Sequence, residues 1–209
     1  MIAIVDYGAG NLTSVQRAFE TLQAPVEITR SPQRIRQAER VVFPGVGAAQ
    51  AAMDTLRSRG LDAAIRAVVE AGTPFLGICL GTQIVFERSE ENGGVDTLGL
   101  MAGTVRRFQP SRPFDKVPHM GWNRVQWTGP HPVTQGLEDG SEFYFVHSYY
   151  PVPKVDALAL GRTEYADAVF ASAVARANVV ATQFHPEKSG RIGLRLLENF
   201  RQWNGRAPC

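Results

Sequence analysis

The segment PFLGICLGTQ, residues 74–83, places a cysteine between two glycines directly after a short apolar run. Residues 74–79 predict a buried strand, and residues 80–89 predict the helix that follows it. A sharp strand-to-helix turn lifts its central side chain out of the sheet, and flanking glycines permit the close backbone approach that such a turn needs. We therefore predict that Cys79 lies at an elbow of this kind in an α/β fold.

A cysteine at such an elbow is suited to nucleophilic chemistry. The N-terminal dipole and free N–H groups of the following helix favour a thiolate at Cys79. The backbone N–H of Leu80 would point toward a developing oxyanion. The alternative is a buried structural cysteine, which is common for this residue type.

Away from the elbow, strand-type and helix-type patterns alternate up to about residue 90, which favours a parallel sheet with helices on both faces. The predicted strands are 2–5, 26–29, 41–43 and 74–79, and the predicted helices are 12–23, capped by Asn11, then 48–70 (one or two helices), 80–89 and 190–203. Between residues 104 and 180, Pro and Gly are frequent, and the runs 104–108, 124–127, 142–146 and 168–175 predict antiparallel strands added to the sheet. Residues 177–184 predict a last inner strand. We predict a single α/β domain over residues 1–209, with a mostly parallel central sheet, flanking helices and an added antiparallel strand region.

The composition and net charge argue against several classes of protein. Hydrophobic residues make up 44% of the 209 residues, which is enough for a core, and the net charge is only +2 with no basic run. Nucleic-acid binding is therefore not expected. The two cysteines, Cys79 and the terminal Cys209, do not form a disulfide framework. No signal peptide or bilayer-spanning run is predicted, so we expect a soluble cytoplasmic protein with no membrane partner.

A cysteine nucleophile needs a base, and His185 is the best placed of the four histidines. It ends an apolar strand in the segment ATQFHPE, and sites in parallel-sheet folds collect at the carboxyl ends of strands. Glu187 could accept the second imidazole N–H and fix the tautomer, with Pro186 stiffening the turn. Taken alone, the segment is also compatible with an ordinary turn.

Two glycine-rich turns could each belong to a functional site, and the sequence supports this interpretation for only one of them. The segment PGVG, residues 44–47, could complete an oxyanion hole beside Leu80, or it could be a plain strand-to-helix loop. The segment GAGNLT, residues 8–13, fails as a dinucleotide site, because Thr13 takes the third glycine position and no acidic residue ends the second strand. There is no Walker motif and no metal-ligand set, so we expect no cofactor and no metal.

The segments GICLGTQ and QFHPEKS, which carry the candidate triad Cys79, His185 and Glu187, resemble the signatures of the class I (triad) glutamine amidotransferases. Further segments are similar to the glutaminase subunits of imidazole glycerol phosphate synthases, in the same order and over nearly the whole chain. They are DYGAGNLTSV (6–15), FPGVGA (43–48), RSEENGG (88–94), HMGWN (119–123), YFVHSYYP (144–151) and ATQFHPEKSG (181–190). One departure is Thr82, where the family pattern has methionine.

The resemblance implies that Cys79 attacks the side-chain carboxamide of glutamine and that His185 transfers the protons. It also implies a heterodimer with a (β/α)₈-barrel cyclase, which receives the ammonia in histidine biosynthesis. Gln83, one helical turn after Cys79, is on the face that a substrate residue would need. The implied oxyanion donors are Val46, Gly47 and Leu80; the implied glutamine-binding residues are Gly47, Gln83, Glu91, Ser148 and Tyr149; the implied interface residues are Asn11, Trp122, Tyr144 and Lys188.

Three alternatives remain open at this point. The first is an amidotransferase of anthranilate, aminodeoxychorismate, guanylate or pyridoxal phosphate synthesis, against which DYGAGN and HMGWN argue. The second is a cysteine peptidase or stress protein, which tends to take its histidine from near the nucleophile. The third is a catalytically dead binding subunit, against which the complete Cys-His-Glu set argues.

Overall fold

The computed structural model describes residues 1–8 and 10–206; Cys209 lies outside them. Their strands are β1 Ile2–Val5, β2 Val26–Thr29, β3 Arg40–Gly45, β4 Phe75–Cys79, β5 Arg88–Ser89, β6 Val95–Asp96, β7 Gly103–Arg107, β8 His119–Trp127, β9 Ser141–His147, β10 Tyr149–Pro153, β11 Ala159–Tyr165, β12 Ala168–Arg176 and β13 Val179–Thr182. Their α-helices are α1 Leu12–Thr21, α2 Pro32–Arg36, α3 Ala49–Ser58, α4 Leu61–Glu70, α5 Leu80–Ile84 and α6 Gly190–Gln202. None of these helices combines the length and apolar composition that a membrane span requires.

The central sheet has nine strands in the order β2-β1-β3-β4-β13-β12-β11-β8-β9. The strands from β2 to β13 pair in parallel, and the remaining strands pair antiparallel. The predicted α/β class, with a parallel centre and an added antiparallel region, is confirmed. The prediction is wrong for the strand at residues 104–108, which was expected in the central sheet. The corresponding strand, β7, instead joins β10, β5 and β6 in a second sheet of four strands.

The side chains of the inner strands point alternately to the two faces of the sheet, and helices cover both faces. Ala3 and Val5 pack into a core with α2, α3 and α4, whereas Ile2 and Ile4 pack into a second core with α1 and α6. Because successive strand side chains point to opposite faces, a fully apolar strand needs a partner layer on each side. This is why the inner strands read as continuous apolar runs.

The helix after the elbow is much shorter than the predicted 80–89, because it ends at Ile84. The carbonyls of Ile84, Val85 and Phe86 accept hydrogen bonds at 2.7–2.9 Å from the backbone N–H groups of the segment 98–101. Those carbonyls are therefore satisfied outside the helix, which removes the need for a further turn. The partner segment is distant in sequence, so local periodicity gives no signal for this end.

The elbow depends on two glycines that pack against backbone. A Cβ at Gly81 would clash with the carbonyl oxygen of Phe43 on the neighbouring strand β3. A Cβ at Gly77 would come within 2.8 Å of the Gly81 carbonyl. Between them, Cys79 has φ 54° and ψ −101°, a strained conformation for a residue with a side chain. The close packing of α5 on β3 holds the cysteine in this conformation.

Gly81→Ala should therefore destabilise the fold. Because the contacted atom is a backbone carbonyl in the middle of the sheet, it cannot move aside, and we expect a loss of about 2–3 kcal/mol in the free energy of unfolding. Chemical denaturation would measure it. Gly129→Ala is the control, because a Cβ there meets no atom within 4 Å, and it should change stability by less than about 0.5 kcal/mol. Equal stability of the two variants would contradict this account of the elbow.

Candidate active site

The carboxyl ends of three parallel strands bring the candidate residues to one edge of the sheet. Cys79 ends β4, and His185 follows β13, which pairs with β4 in parallel. Val46 and Gly47 follow β3, whose last residue, Gly45, lies opposite Cys79 in register. The cysteine is 6% exposed and the histidine is fully buried. Chemistry at this edge would thus occur in a site shielded from bulk water.

His185 is oriented by a buried carboxylate. Its Nδ1 lies 2.7 Å from Oε1 of Glu187, and both side chains are fully buried. The carboxylate can only accept, so Nδ1 carries the proton and Nε2 is left for another partner. Nε2 is buried and makes no hydrogen bond within residues 1–8 and 10–206.

The environment of His185 favours its charged form. Burial alone would lower the pKa of His185, but the neighbouring Cys79 and the hydrogen-bonded Glu187 outweigh burial and raise this pKa above the usual value. The ring is therefore able to hold a proton next to the cysteine. A hydrogen bond between His185 Nε2 and the thiol is not formed, and such bonds in resting sites often align only with substrate.

Asn11 does not cap α1, contrary to the prediction. Its φ is 72°, and its side chain makes no capping hydrogen bond. The Nδ2 group instead donates to Oε1 of Glu187 at 2.7 Å. The left-handed backbone turns the amide away from the helix and toward the site, where it gives the triad carboxylate a second donor.

Cys79 is covered by a glutamine that sequence reasoning missed. Nε2 of Gln183 and the carbonyl of Val146 each lie 3.7 Å from Sγ. Oε1 of Gln183 accepts from Nε2 of Gln83 at 3.3 Å, and the same Nε2 donates to the Tyr149 carbonyl at 3.1 Å. Gln183 is fully buried, and a polar side chain within an apolar run was the only signal for it.

The glycine-rich loop packs on a buried tyrosine that was also missed. Tyr7 stacks on Phe43 with ring centroids 4.7 Å apart, and a Cβ at Gly45 would clash with its hydroxyl. That hydroxyl is buried with no hydrogen-bond partner in the part of the chain that the structure describes. Burial and the nearby Cys79 raise the pKa of Tyr7, against a smaller opposing effect of the Val46 N–H. The phenol therefore stays neutral beside the loop.

The remaining predicted substrate residues lie at the same edge. Gly47 has a left-handed φ of 112°. The Glu91 carboxylate accepts from the backbone N–H of Ala49 at 2.5 Å, at the start of α3. Glu91 is thus attached to the far end of the glycine-rich loop, and substrate would have to share or replace that hydrogen bond. Ser148 and Tyr149 join β9 to β10.

The predicted interface residues Trp122, Tyr144 and Lys188 lie together on the outer side of β8 and β9. Trp122 is opposite Tyr144 in register, with ring centroids 6.2 Å apart, and Lys188 Nζ is 6.0 Å from the tyrosine ring. Trp122 is 56% exposed, and the neighbouring Met120 is 63% exposed. We call these four residues the exposed aromatic face. The other predicted interface residue, Asn11, is half-buried and donates a hydrogen bond to Glu187.

Two further observations concern the surroundings of the site. Thr82 is fully buried, and its hydroxyl has no hydrogen-bond partner among the described residues. No three His, Cys, Asp or Glu side chains within residues 1–8 and 10–206 come close enough to hold a metal ion. The groups described at this edge include the Cys79 thiol, the His185 imidazole, the carboxylates of Glu187 and Glu91, and the amides of Gln83 and Gln183.

The chain is similar to known proteins over nearly its whole length. The family model for glutamine amidotransferase class-I matches residues 3–203. The imidazole glycerol phosphate synthase subunit HisH of Nitrosococcus oceani is 51% identical, with 98% of each chain covered. The corresponding subunit of Herpetosiphon aurantiacus is 52% identical over 96% of this chain and 93% of its own. A glutamine amidotransferase structure from Thermotoga maritima superposes with a TM-score of 0.65 at 16% identity, over 96% of this chain and 82% of that one.

Proposed function

Because the chain belongs to the class-I glutamine amidotransferase family, we propose that it is the glutaminase subunit of an imidazole glycerol phosphate synthase. It hydrolyses glutamine to glutamate and ammonia. It passes the ammonia to a (β/α)₈-barrel cyclase subunit, which makes imidazole glycerol phosphate and AICAR in histidine biosynthesis. The observation that carries the glutaminase activity is the elbow cysteine beside a histidine whose Nδ1 is held 2.7 Å from Glu187.

The reaction divides into two steps at Cys79. His185 takes the proton of the Cys79 thiol, the resulting thiolate attacks the carboxamide carbon of glutamine, and a tetrahedral oxyanion forms. The C–N bond then breaks, His185 gives its proton to the leaving ammonia, and a thioester remains. His185 next takes a proton from water, which attacks the thioester; as the C–S bond breaks, His185 returns this proton to the sulfur, and glutamate and the thiol are released. Glu187 keeps the imidazole in one tautomer throughout.

The oxyanion is stabilised by backbone N–H groups at the carboxyl edge. The N–H of Leu80 is the first of α5 and has no partner inside that helix. The second donor comes from Val46 or Gly47 in the glycine-rich loop, which β3 holds beside Cys79. Gly47, Gln83, Glu91, Ser148 and Tyr149 bind the glutamine. In support, Gln83 already donates to the Tyr149 carbonyl and to Gln183, whose Nε2 lies 3.7 Å from the Cys79 sulfur.

The exposed aromatic face is the docking surface for the cyclase. Large apolar side chains at this exposure are typical of interfaces. The same strand connects the surface to the site, because the Tyr144 carbonyl accepts the backbone N–H of His185 at 2.9 Å. Ammonia becomes ammonium in water and is then a poor nucleophile, so a direct passage from the thioester to the second site protects it.

Cys79→Ala should abolish glutamine-dependent product formation by the complex. Ammonia-dependent product formation should persist, because the cyclase chemistry is on the other subunit. Both rates would be measured on the same complex preparation. Loss of the ammonia-dependent rate in a variant that assembles normally would contradict the division of labour.

Glu187→Gln should lower kcat and leave glutamine binding nearly intact. The amide can still accept at Oε1, but its charge is lost, and with it the preference for the protonated imidazole. A serine triad with the wrong tautomer loses about 10⁴ in kcat, and a cysteine system should lose less, since its thiolate forms more easily. Steady-state kcat and KM would be compared with the unmodified chain. An unchanged kcat would remove Glu187 from the mechanism.

The isolated chain should be a weak glutaminase that the cyclase activates. Glycines on both sides of Val46 let its peptide plane turn over, and a misdirected oxyanion donor costs about 10²–10³ in kcat. Assays of the chain alone, with cyclase, and with cyclase and its nucleotide would measure this effect. Equal kcat in the three conditions would contradict partner gating, although the triad assignment would stand.

A further inference from the structure

Two buried histidines outside the triad face each other across the strand pair that carries the exposed aromatic face. His119 on β8 is opposite His147 on β9 in register, and the two are 3% and 5% exposed. Their ring centroids are 5.1 Å apart, and Nδ1 of His119 lies 3.1 Å from Nε2 of His147. Four aromatic rings pack around the pair: Phe108, Phe145, Tyr165 and Phe170. The mechanism above uses neither histidine.

The hydrogen bonds of the pair have a single consistent direction. Nδ1 of His147 lies 2.7 Å from the Tyr149 carbonyl, which can only accept, so Nδ1 carries the proton. Its Nε2 must then accept from Nδ1–H of His119. The remaining Nε2 of His119 accepts from Nδ2 of Asn123 at 3.3 Å. Both rings are therefore neutral Nδ1–H tautomers.

Burial agrees with this assignment. It lowers the pKa of His119 to about 4. It also lowers the pKa of His147 to about 3, where the Tyr149 carbonyl opposes the change and the neighbouring His119 and His185 add to it. At neutral pH the two rings are uncharged, as the order of donors and acceptors requires.

The other end of the chain of hydrogen bonds is the substrate site. The Tyr149 carbonyl accepts a hydrogen bond from Nδ1–H of His147 and a second one, at 3.1 Å, from Nε2 of Gln83. Gln83 donates in turn to Gln183, which lies 3.7 Å from the Cys79 sulfur. A continuous series of contacts thus joins Asn123, next to Trp122 on β8, to the nucleophile.

We propose that His147, with its tautomer fixed by His119, is a positioning residue that orients the Tyr149 carbonyl and through it the glutamine-binding Gln83. This inference rests on the proposed glutaminase function. The important group is the Nδ1–H donor of His147. His119 acts through it, because it donates to Nε2 of His147 and so keeps the proton on Nδ1.

Two substitutions separate the two nitrogens of His147. In His147→Asn, the amide nitrogen replaces Nδ1 and keeps the donor to Tyr149; an amide has no tautomer to fix, so His119 is no longer needed. In His147→Gln, the amide oxygen replaces Nε2 and still accepts from Nδ1–H of His119, but the donor to Tyr149 is lost. We expect His147→Gln to raise KM for the substrate glutamine about tenfold with kcat largely kept. For His147→Asn, we expect KM to stay within about threefold of the value for the unmodified complex.

The assay uses the complex of the full chain with the cyclase, and it includes two controls. His131→Gln replaces another buried histidine, which lies at a turn and accepts from the Val133 N–H; it should lower thermal stability without changing KM. An unmodified complex without glutaminase activity would refute the proposed function itself. An active complex in which the two His147 variants have equal KM, or in which asparagine is the worse variant, would overturn the positioning role alone.

A measurement without substitutions tests the same idea if a variant does not fold. Nitrogen-15 NMR of histidine-labelled full chain distinguishes the two neutral tautomers. We expect His119 and His147 both to be Nδ1–H tautomers at neutral pH. A proton on Nε2 of His147 would overturn the proposal.

Discussion

The contact of Gly81 with the Phe43 carbonyl is the constraint on which the rest of the site depends. It presses the first turn of α5 against β3, and Gly77 gives the room for that approach. Cys79 must then take a positive φ, which directs its side chain to the carboxyl edge of the sheet. Parallel pairing of β13 with β4 brings His185 to the same edge. The proximity of Cys79 and His185 therefore results from the sheet order and from one backbone contact that only glycine permits.

Strand β9 performs two tasks although it is the outermost strand of the nine-stranded sheet. Its outward side chains include Tyr144 of the exposed aromatic face, and its inward side chains include His147. Its backbone carbonyls contact the site directly, since Tyr144 O binds the His185 N–H and Val146 O lies 3.7 Å from the Cys79 sulfur. The antiparallel part of the sheet must curl back over the parallel part for these contacts to form. Tyr144 of the exposed aromatic face therefore lies on the same strand as the carbonyls that contact Cys79 and His185.

Features coded by adjacent residues could be predicted from the sequence, and features set by distant ones could not. The apolar runs of β1, β3 and β4 and the glycines around Cys79 indicated the parallel core and the elbow. The end of α5 at Ile84 depends on hydrogen bonds from residues 98–101. The side chain of Asn11 turns toward Glu187, a residue near the other end of the sequence. For the same reason, β7 was assigned to the wrong sheet. Tyr7 and Gln183 were overlooked because each looks like a core residue until its neighbours in space are known.

The burial of Cys79 has a consequence for the chemical durability of the protein. A thiol that is poised for attack is also the group most easily converted to sulfenic acid, and this damage follows accessibility as well as thiolate character. Here Cys79 is only 6% exposed, and its sulfur lies beneath Gln183 and the Val146 carbonyl. The resting protein therefore offers little sulfur surface to peroxide. Oxidative inactivation would then accumulate with the time that the site spends open during turnover, so that an idle subunit outlasts a working one.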